Sequence, residues 1–354
     1  GLGDVYKRQC RIFAVTGSDG KTTTTTIISE LLKAQRYTVH LGGNIGRPLL
    51  CDVDDMKASD VAVLELSSFQ LHSMVCKPDV AVITNISPNH LDKHKDYQDY
   101  IDAKSSIFAY QDEHDRLVLN HDNEFSAYYA GKAKSSISYF SRAVKPDNGV
   151  YCTGGYIYRV HDGSSQKLMA ADDIKLPGTH NLENYMAAFA ATDGYVDDNT
   201  CISVAKSFSG VEHRLEQVRV LNGVTFINDS IGTSPTRTAA GLHALKQKPI
   251  LIAGGYDKHI PFDELGDEIC LHVKKLYLTG ATTEKIYDAV TKSKYFDGNL
   301  PIEKIDDFKD AVLAAADSAQ DGDVVLLSPA CAAFDKFKNF MERGKYFKQI
   351  VMEL

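Results

Sequence analysis

A short glycine-containing turn directly after an apolar run constrains this chain of 354 residues more than any other feature. The apolar residues 12–15 predict a buried strand, and Gly17 and Gly20 allow the backbone to curl after it. Lys21 and Thr22 then open a helical pattern. Backbone N–H groups in such a turn and at a helix start bind phosphate, the lysine neutralises it, and the threonine hydroxyl holds Mg²⁺. The sequence therefore predicts a nucleotide-phosphate site.

One position departs from the full Walker A spacing, because Val15 stands where that pattern has a glycine. The predicted turn is therefore shorter than usual. An ordinary strand-turn-helix corner with a surface lysine is the alternative interpretation. Strand, glycines, lysine and threonine coincide in the required order, which favours the phosphate site.

Charge and cysteine content narrow the class of protein. The 39 Lys and Arg against 47 Asp and Glu give a net charge of -8, which argues against a nucleic-acid-binding surface. The 7 cysteines are odd in number and show no metal-ligand spacing, which indicates reduced thiols and a cytoplasmic location. No apolar run approaches the roughly 20 residues that cross a bilayer. We expect no nucleic-acid partner and no membrane contact, and we expect residues 1–9 to form an unstructured tail.

Apolar strand patterns alternate with helical patterns in two successive stretches. The first has strand patterns at 12–15, 38–41, 61–66, 80–84, 117–119 and 137–140, followed by a hairpin pattern at 148–167. The second follows a link at 209–211 and has strand patterns at 225–228, 250–253, 275–278 and 324–327. Near-continuous apolar strands between helices indicate parallel sheets covered on both faces. The predicted fold class is therefore α/β with two doubly wound domains, at 10–211 and 212–354.

Polar residues follow two of the predicted strands, at the edge where a doubly wound sheet carries its functional groups. Glu65 follows one strand, and His90 lies in a Pro-containing loop after the next. Because Mg²⁺ prefers oxygen ligands, Glu65 and Thr22 are predicted to form its first site, with His90 as a candidate ligand of a second ion. Taken alone, a loop histidine such as His90 more often makes ordinary hydrogen bonds.

Several short motifs, in this order, resemble those of the Mur ligase family. They lie at 16–23, 42–46, 64–70, 180–184, 213–214, 228–230 and 328–331. The resemblance extends from residue 10 to the end of the chain. It implies a central P-loop ATPase-like domain followed by a C-terminal Rossmann-like domain that binds an amino acid. The motifs at 42–46, 64–70 and 328–331 favour the D-glutamate-adding member.

The resemblance implies an ATP-dependent amide ligase in peptidoglycan biosynthesis. ATP would phosphorylate the carboxylate of UDP-N-acetylmuramoyl-L-alanine, and the amine of D-glutamate would attack the acyl phosphate. A carboxylate is a weak nucleophile that approaches a polyanion, so catalysis must come from positioning and charge neutralisation. We expect Lys21 and two Mg²⁺ ions to supply that charge, and we expect a monomer.

Lys104 lies in an amphipathic helical pattern at 97–110. A lysine in such a helix is usually a solvated surface charge. In the Mur ligases the lysine at this position is carbamylated by CO₂, which converts a cation into a carboxylate-like metal ligand. Tyr100 and Ala103 also fit the local family pattern, so the resemblance implies a carbamylated, catalytic Lys104.

The resemblance assigns the remaining site residues by ligand. Those expected to bind ATP are Gly17, Ser18, Asp19, Gly20, Lys21, Thr22, Thr23, Asn184, Arg214 and Asp229. Those expected to contact the muramoyl-alanine part are Asn44, Ser67, Gln70 and His90, and those expected at D-glutamate are Lys258 and Phe340. The expected metal ligands are Thr22, Glu65, His90 and Lys104, and the expected catalytic residues are Lys21, Lys104 and His90. Asn184, Arg214 and Asp229 also fit helix packing, a linker salt bridge and a turn cap, respectively.

Two positions depart from the family pattern. Ile231 stands where many members have a lysine, and Ala333 stands where a serine is expected to meet the D-glutamate carboxylate. An apolar side chain cannot donate a hydrogen bond there. Either Thr233, Ser234 or a backbone N–H substitutes, or the affinity for the amino acid is reduced.

The front of the chain also departs from the family pattern, in which a UDP-binding domain of about 100 residues precedes the phosphate loop. We expect the chain to hold the ATP-binding and amino-acid-binding domains without that first domain, with slow or absent turnover because remote binding energy helps to position the carboxylate. Two alternatives stay open. One is another ligase of the superfamily, of the muramyl-peptide or folylpolyglutamate type, and the other is a catalytically silent ATP-binding fragment.

Overall fold

The computed structural model describes residues 10–44, 49, 53–87, 95–176, 178–258 and 260–354. The chain divides into two units, Gly1–Phe208 and Ser209–Leu354, and each is built on its own sheet. Both sheets are mainly parallel and carry helices, so the predicted α/β fold class is confirmed. None of the helices in the described residues combines the length and the apolar character that a membrane crossing requires.

The sheet of the first unit has the strand order β2-β3-β1-β4-β5-β6-β7-β8-β9. Its strands are β1 (Arg11–Thr16), β2 (Val39–Gly43), β3 (Val61–Glu65), β4 (Val80–Ile83), β5 (Arg116–Asn120), β6 (Ser136–Ser141), β7 (Gly149–Thr153), β8 (Tyr156–His161) and β9 (Ser164–Ala170). The pairs from β2 to β7 are parallel, and β8 and β9 continue the sheet as antiparallel hairpins. This arrangement is the one that the strand and hairpin patterns predicted.

Helices cover both faces of this sheet. They are α1 (Lys21–Ala34), α2 (Ser68–Ser73), α3 (Tyr97–Ser105), α4 (Ser126–Lys132), α5 (Thr179–Ala191) and α6 (Asp198–Ser207). Alternate residues of β1 explain the two-sided burial, because Phe13 and Val15 pack in one core with α1 and α5, whereas Ile12 and Ala14 pack in another with α3.

The helix predicted at 97–110 is shorter than its pattern suggested, because α3 ends at Ser105. Beyond it the backbone tightens, and the N–H of Ile107 donates to the carbonyl of Lys104 three residues back. Ile107 and Phe108 are buried, so their side chains enter the core instead of extending the helix. The apolar pattern continues past the helix end for this reason.

The site in the first unit follows from the order of three strands. β3, β1 and β4 are parallel neighbours, and their register pairs Val15 with Glu65 and Thr16 with Ile83. The carboxyl ends of the three strands therefore lie side by side. This edge carries Gly17, Leu66 and Thr84, the first residues after each strand.

The sheet of the second unit has the order β10-β11-β15-β12-β13-β14. Its strands are β10 (Glu216–Leu221), β11 (Val224–Asn228), β12 (Ile250–Ala253), β13 (Lys275–Leu278), β14 (Ile302–Lys304) and β15 (Val324–Leu327), and its helices are α7 (Pro235–Ala244), α8 (Asp263–His272), α9 (Thr283–Thr291), α10 (Phe308–Asp317) and α11 (Phe340–Glu353). β10 and β14 were not predicted, because the first is a half-exposed edge strand and the second has 3 residues.

Candidate active site

The turn after β1 requires glycine at two positions. Gly17 has a φ of 150° and Gly20 a φ of 76°, which side-chain-bearing residues rarely adopt. A Cβ atom on Gly17 would lie 1.9 Å from Thr84 Oγ1, and one on Gly20 would lie 2.3 Å from Asn184 Oδ1. The turn is thus packed tightly against Thr84, the first residue after β4, and against Asn184 on α5.

The loop after β4 holds this turn in place. The N–H of Ser18 donates to the carbonyl of Asn85 (2.9 Å), and the N–H of Asp19 donates to Asn85 Oδ1 (2.8 Å). The Thr84 hydroxyl donates to the carbonyl of Asp19 (2.5 Å). Because these bonds use the first N–H groups of the turn, anion binding is left to the N–H groups where α1 begins.

The start of α1 suits an anion. Its N-cap residue is Gly20, and no side chain among the described residues caps the helix there. The first N–H groups of a helix lack partners within the helix and carry its partial positive charge. A phosphate at this position would satisfy them.

The Nζ atoms of two lysines converge on the turn. Lys21 Nζ donates to the carbonyls of Gly17 (2.9 Å) and Ser18 (2.8 Å). Lys104 Nζ donates to the same Gly17 carbonyl (2.9 Å) and to Thr16 Oγ1 (3.3 Å). A positive charge on both amines at once is unfavourable at this distance, so Lys21 helps to keep Lys104 neutral.

Lys104 is a buried residue and not a surface charge. It is 1% exposed, and its Nζ lies 4.7 Å from the centre of the Tyr100 ring. The Tyr100 hydroxyl in turn lies 2.8 Å from Ser18 Oγ. Burial, with a smaller contribution from Lys21, lowers the pKa of Lys104 to about 7. In a large fraction of the molecules, Lys104 is therefore a neutral amine near neutral pH.

The run of five threonines at the start of α1 divides into different roles. The hydroxyls of Thr25 and Thr26 donate to the carbonyls four residues earlier in the same helix. The Thr24 hydroxyl donates to Asn184 Oδ1 (3.2 Å), which ties α1 to α5. Thr22 and Thr23 lie partly exposed in the first turn, where the predicted phosphate and Mg²⁺ contacts would form.

Glu65, at the end of β3, carries a buried oxygen that needs a partner. It is 1% exposed, and its Oε1 accepts from Asn44 Nδ2 (2.9 Å). Its Oε2 has no hydrogen-bond partner among the residues that the structure describes. Buried carboxylate oxygens are normally hydrogen-bonded or bound to a cation. The predicted role of Glu65 as a Mg²⁺ ligand fits this geometry.

Ser67 and Gln70, which are predicted to contact the substrate, also cap a helix. Ser67 and Gln70 form a capping box at the start of α2, in which the Ser67 N–H donates to Gln70 Oε1 (2.9 Å). Both remain partly exposed beside the end of β3. His90 lies outside the described residues, within 88–94, so its predicted roles stay predictions.

In the second unit, Arg214 stands in a turn with unusual backbone angles. Its neighbours His213 and Leu215 have φ values of 66° and 41°. His213 is buried, and its Nδ1 accepts from Asn228 Nδ2 (2.9 Å). The side chain of Arg214 is exposed. Strain held in place by buried neighbours is typical of residues that bind ligands.

Asp229, the first residue after β11, holds the Arg214 turn in place. It is 4% exposed, its Oδ1 accepts from the N–H of Leu215 (3.2 Å), and its Oδ2 accepts from Ser328 Oγ (2.7 Å). Burial raises the pKa of Asp229 to about 6. Both oxygens are engaged within the second unit, so the structure gives Asp229 a positioning contact next to Arg214.

Arg343 on α11 links the loops around the predicted D-glutamate residues. This guanidinium is 2% exposed and donates to Ser230 Oγ, to the Ser230 carbonyl and to the carbonyl of Cys331, each at 3.0 Å. Ser230 Oγ also donates to the carbonyl of Phe340 (2.8 Å). Burial lowers the pKa of Arg343 to about 10, which still leaves it charged at neutral pH.

The structure shows what surrounds Ile231 and Ala333, the two positions that depart from the family pattern. Lys258 Nζ donates to the carbonyl of Thr233 (3.2 Å), so an ammonium group lies next to the segment in which Ile231 stands. Ala333 is 2% exposed and packs within the second unit.

Three residues of these sites were missed by sequence reasoning. Asn85 organises the turn after β1, Ser328 binds Asp229, and Arg343 ties loops of the second unit together. Asn85 and Ser328 each stand two residues or fewer beyond a predicted strand, which is a usable signal. Arg343 lies on a helix surface pattern, and nothing in the local sequence distinguishes it from a solvated arginine.

Two family models match the chain. Residues 15–192 match the Mur ligase middle domain, and residues 213–331 match the glutamate ligase domain of Mur ligases. These matches confirm the resemblance that the motifs indicated.

Relatives with established names are similar over nearly the whole chain. A UDP-N-acetylmuramoylalanine--D-glutamate ligase of Acetivibrio thermocellus is 52% identical over 98% of this chain and 76% of its own length. A ligase of the same name from Ruminiclostridium cellulolyticum is 49% identical over 99% of this chain and 77% of its own length.

Solved structures share the fold at low sequence identity. MurF from Acinetobacter baumannii has a TM-score of 0.66 at 18% identity, covering 99% of this chain and 79% of that one. MurF ligase from Thermotoga maritima, solved in complex with ADP, has a TM-score of 0.59 at 19% identity, covering 99% and 82%. Together with the family models and the close relatives, these findings show that the chain belongs to the Mur ligase family.

Proposed function

We propose that this chain is an ATP-dependent amide ligase that joins D-glutamate to UDP-N-acetylmuramoyl-L-alanine in peptidoglycan biosynthesis. A carboxylate oxygen attacks the γ-phosphorus of ATP and ADP leaves. The amine of D-glutamate then attacks the acyl phosphate, loses a proton and displaces phosphate. The observation that carries the proposal is the pair of lysine side chains, Lys21 and Lys104, whose Nζ atoms both donate to the Gly17 carbonyl beside the start of α1. The names of the close relatives supply the two substrates.

Lys21 provides the mobile charge for the triphosphate. Two of its acceptors are neutral carbonyl oxygens of the turn. Phosphate oxygens are charged acceptors and form stronger hydrogen bonds than carbonyl oxygens. Lys21 therefore moves to the β- and γ-phosphates when ATP binds, while the N–H groups at the start of α1 hold the same anion.

Magnesium, when bound, offsets the negative charge of the triphosphate and of the approaching carboxylate. We assign Thr22 and Glu65 to the first ion. Glu65 Oε2, which has no hydrogen-bond partner within the described parts of the chain, supports this assignment. Asn44 holds the other oxygen of Glu65 and so fixes the orientation of the carboxylate. His90 and the modified Lys104 complete the set that the family resemblance implies for a second ion.

Carbamylation of Lys104 fits the chemistry of its surroundings. A neutral amine attacks the carbon of CO₂ and loses a proton, which leaves a carbamate anion. The lowered pKa of Lys104 supplies that neutral amine near neutral pH. The product carries a negative charge, which the positive charge of Lys21 attracts.

The second unit supplies the amino-acid site and one phosphate ligand. Arg214 is exposed from its fixed turn and is assigned to the phosphates of ATP. Lys258 is assigned to a carboxylate of D-glutamate, and Phe340 to a contact beside it. Arg343 and Asp229 position these residues through the buried hydrogen bonds described above. They act on the reaction through their neighbours.

Release of ADP from MgATP, measured with a panel of acceptor and amino-acid pairs, tests the proposed function. We expect UDP-N-acetylmuramoyl-L-alanine and D-glutamate to stimulate ADP release together, with formation of the amide, and neither to do so alone. Stimulation by a folate with L-glutamate instead would identify a ligase of the folylpolyglutamate type. Binding of MgATP without amide product at saturating substrates would identify a catalytically silent nucleotide-binding protein.

A further inference from the structure

Two histidines and a glutamate meet on the surface of the second unit. His243 Nε2 lies 2.5 Å from Glu268 Oε2, and His272 Nε2 lies 3.4 Å from the same oxygen. One ligand atom from each of the three side chains lies within 4.8 Å of the others. None of the three residues belongs to the sites predicted for ATP, Mg²⁺ or the substrates.

The packing of α7 against α8 brings these three side chains together. Glu268 and His272 are one turn apart on α8, so their side chains point the same way. His243 stands in the last turn of α7. The two helices are held together by Leu242 and Ile269, the chain neighbours of His243 and Glu268, which are buried in one hydrophobic core. The three ligand atoms therefore converge because apolar residues beside them are buried.

The chemistry of the three groups selects a transition metal. Two imidazoles with one carboxylate form a ligand set for Zn²⁺ and its neighbours, whereas Mg²⁺ prefers oxygen ligands throughout. Ligand atoms around a tetrahedral Zn²⁺ are about 3.3 Å apart, given bonds of roughly 2 Å. The 3.4 Å between His272 and Glu268 matches this spacing, and His243 has to withdraw by less than 1 Å from the 2.5 Å of its present hydrogen bond.

The position within the helices also favours a cation. α7 ends at Ala244 and α8 ends at His272, so the cluster lies near the C-terminal ends of both helices. These ends carry partial negative charge. All three side chains are partly or largely exposed, which gives a metal ion and a water ligand direct access.

A second cluster in the same unit provides a contrast. Glu212, His213 and Glu216 also bring three ligand atoms together. There, Lys348 Nζ lies 3.0 Å from a Glu212 oxygen and 2.6 Å from a Glu216 oxygen, so an ammonium group already neutralises both carboxylates. In the part of the chain that the structure describes, the ion-pair partners of Glu268 are its two imidazoles.

We propose that His243, Glu268 and His272 bind one divalent transition-metal ion of the Zn²⁺ or Ni²⁺ type, with water completing its coordination. The bound ion links α7 to α8. Because the ligand atoms are assembled in the folded unit and dispersed in the unfolded chain, the ion stabilises the folded form. The site is independent of the proposed ligase activity.

Titration calorimetry with ZnCl₂ in a chelator-free buffer, followed by thermal unfolding with and without Zn²⁺, tests the proposal. We expect saturable binding of one Zn²⁺ that excess Mg²⁺ does not displace, and a higher Tm when Zn²⁺ is present. His243→Ala and His272→Ala should each weaken this binding by about tenfold or more, because each removes one of three protein ligands. Both changes are on the surface, so the variants should fold.

His114→Ala is the matched control, since it removes an exposed imidazole that lies in a turn between α3 and β5. This variant should bind Zn²⁺ like the unmodified chain. Equal Zn²⁺ affinity and equal Tm shift in the unmodified chain and in a variant lacking both His243 and His272 would overturn the proposal. Displacement of Zn²⁺ by Mg²⁺ at similar concentration would overturn it as well.

Discussion

The charged groups of the two units differ in what they lack. At the phosphate turn of the first unit, Lys21 and Lys104 share a neutral carbonyl, and Glu65 Oε2 has no partner among the described residues. In the second unit, Arg343 donates to hydroxyl and carbonyl oxygens, and Asp229 accepts from Ser328 and Leu215. The Glu65 carboxylate is therefore incomplete without a ligand, whereas Arg343 and Asp229 already have hydrogen-bond partners within the second unit.

This difference separates chemistry from positioning. Charges without suitable partners are costly in a folded protein and persist where a ligand completes them. Buried charges with full sets of hydrogen bonds instead fix the loops around them. We therefore expect changes in the first unit to lower turnover strongly at little cost in stability, and loss of Arg343 in the second to lower stability and substrate affinity.

Replacement of Lys21 should have the largest effect. Lys21→Ala removes a positive charge that is stabilising mainly when the phosphoryl group is transferred, so we expect kcat/KM to fall about a thousandfold. Lys33→Ala is the control, because Lys33 is an exposed lysine at the other end of α1, paired with Glu30. Steady-state ADP release measures both. Similar activities in the two variants would show that Lys21 is a surface charge.

Lys104→Ala should lower ADP release by about a hundredfold, and bicarbonate should not restore it. In the unmodified chain, carbamate forms from the neutral amine, so bicarbonate should stimulate CO₂-depleted enzyme more strongly as the pH rises through about 7, the pKa of Lys104. Carbon NMR with labelled bicarbonate gives a direct readout of the carbamate. A fully active Lys104→Ala variant would contradict the assigned role.

Arg343→Met tests the second unit. The substitution leaves the carbonyls of Ser230 and Cys331 without their donor, and we expect the free energy of unfolding to fall by about 3 kcal/mol. The KM for D-glutamate should rise because the loops that carry its ligands lose their link, while MgATP affinity stays the same. Lys338→Met, an exposed cation near the start of α11, serves as the control. Equal stability of the two variants would show that the buried hydrogen bonds of Arg343 do not stabilise the second unit.

Replacement of Asp229 should have the smallest effect, a change in the free energy of unfolding that depends on pH. Its pKa is raised to about 6 in the folded chain against an ordinary value of 3.8, so the folded state holds the proton more tightly. The carboxyl therefore becomes more destabilising as the pH rises from 4 to 6. Relative to the unmodified chain, Asp229→Asn should gain about 2 kcal/mol of stability over that range. Denaturant unfolding at several pH values measures the difference, and a pH-independent difference would contradict the assignment.

Sequence reasoning predicted the elements that carry long apolar patterns. The strands around the phosphate turn were found because β1, β3 and β4 are continuous apolar runs, and the turn itself was found from its glycines. β10 was missed because a half-exposed edge strand has little apolar pattern, and α3 was extended too far because buried residues continue beyond its end.

The local motifs of the site were also predictable, but its cross-connections were not. Lys21 and Thr22 were assigned from their spacing alone. The approach of Lys104 to Gly17, and of Arg343 to Ser230, joins residues separated by 87 and 113 positions. Such contacts depend on how helices pack on the sheet, which a local pattern does not contain. Ser67 and Gln70 were predicted only as substrate contacts, and their capping box at the start of α2 was not predicted.

Transfer of a labelled oxygen tests the central claim most directly. If the first unit activates a carboxylate with ATP, a heavy-oxygen label in the alanyl carboxylate of UDP-N-acetylmuramoyl-L-alanine should appear in the released phosphate when D-glutamate is present. Mass spectrometry of the phosphate measures this transfer. One labelled oxygen per phosphate is the predicted result, and phosphate released without label would contradict a carboxylate-activating site.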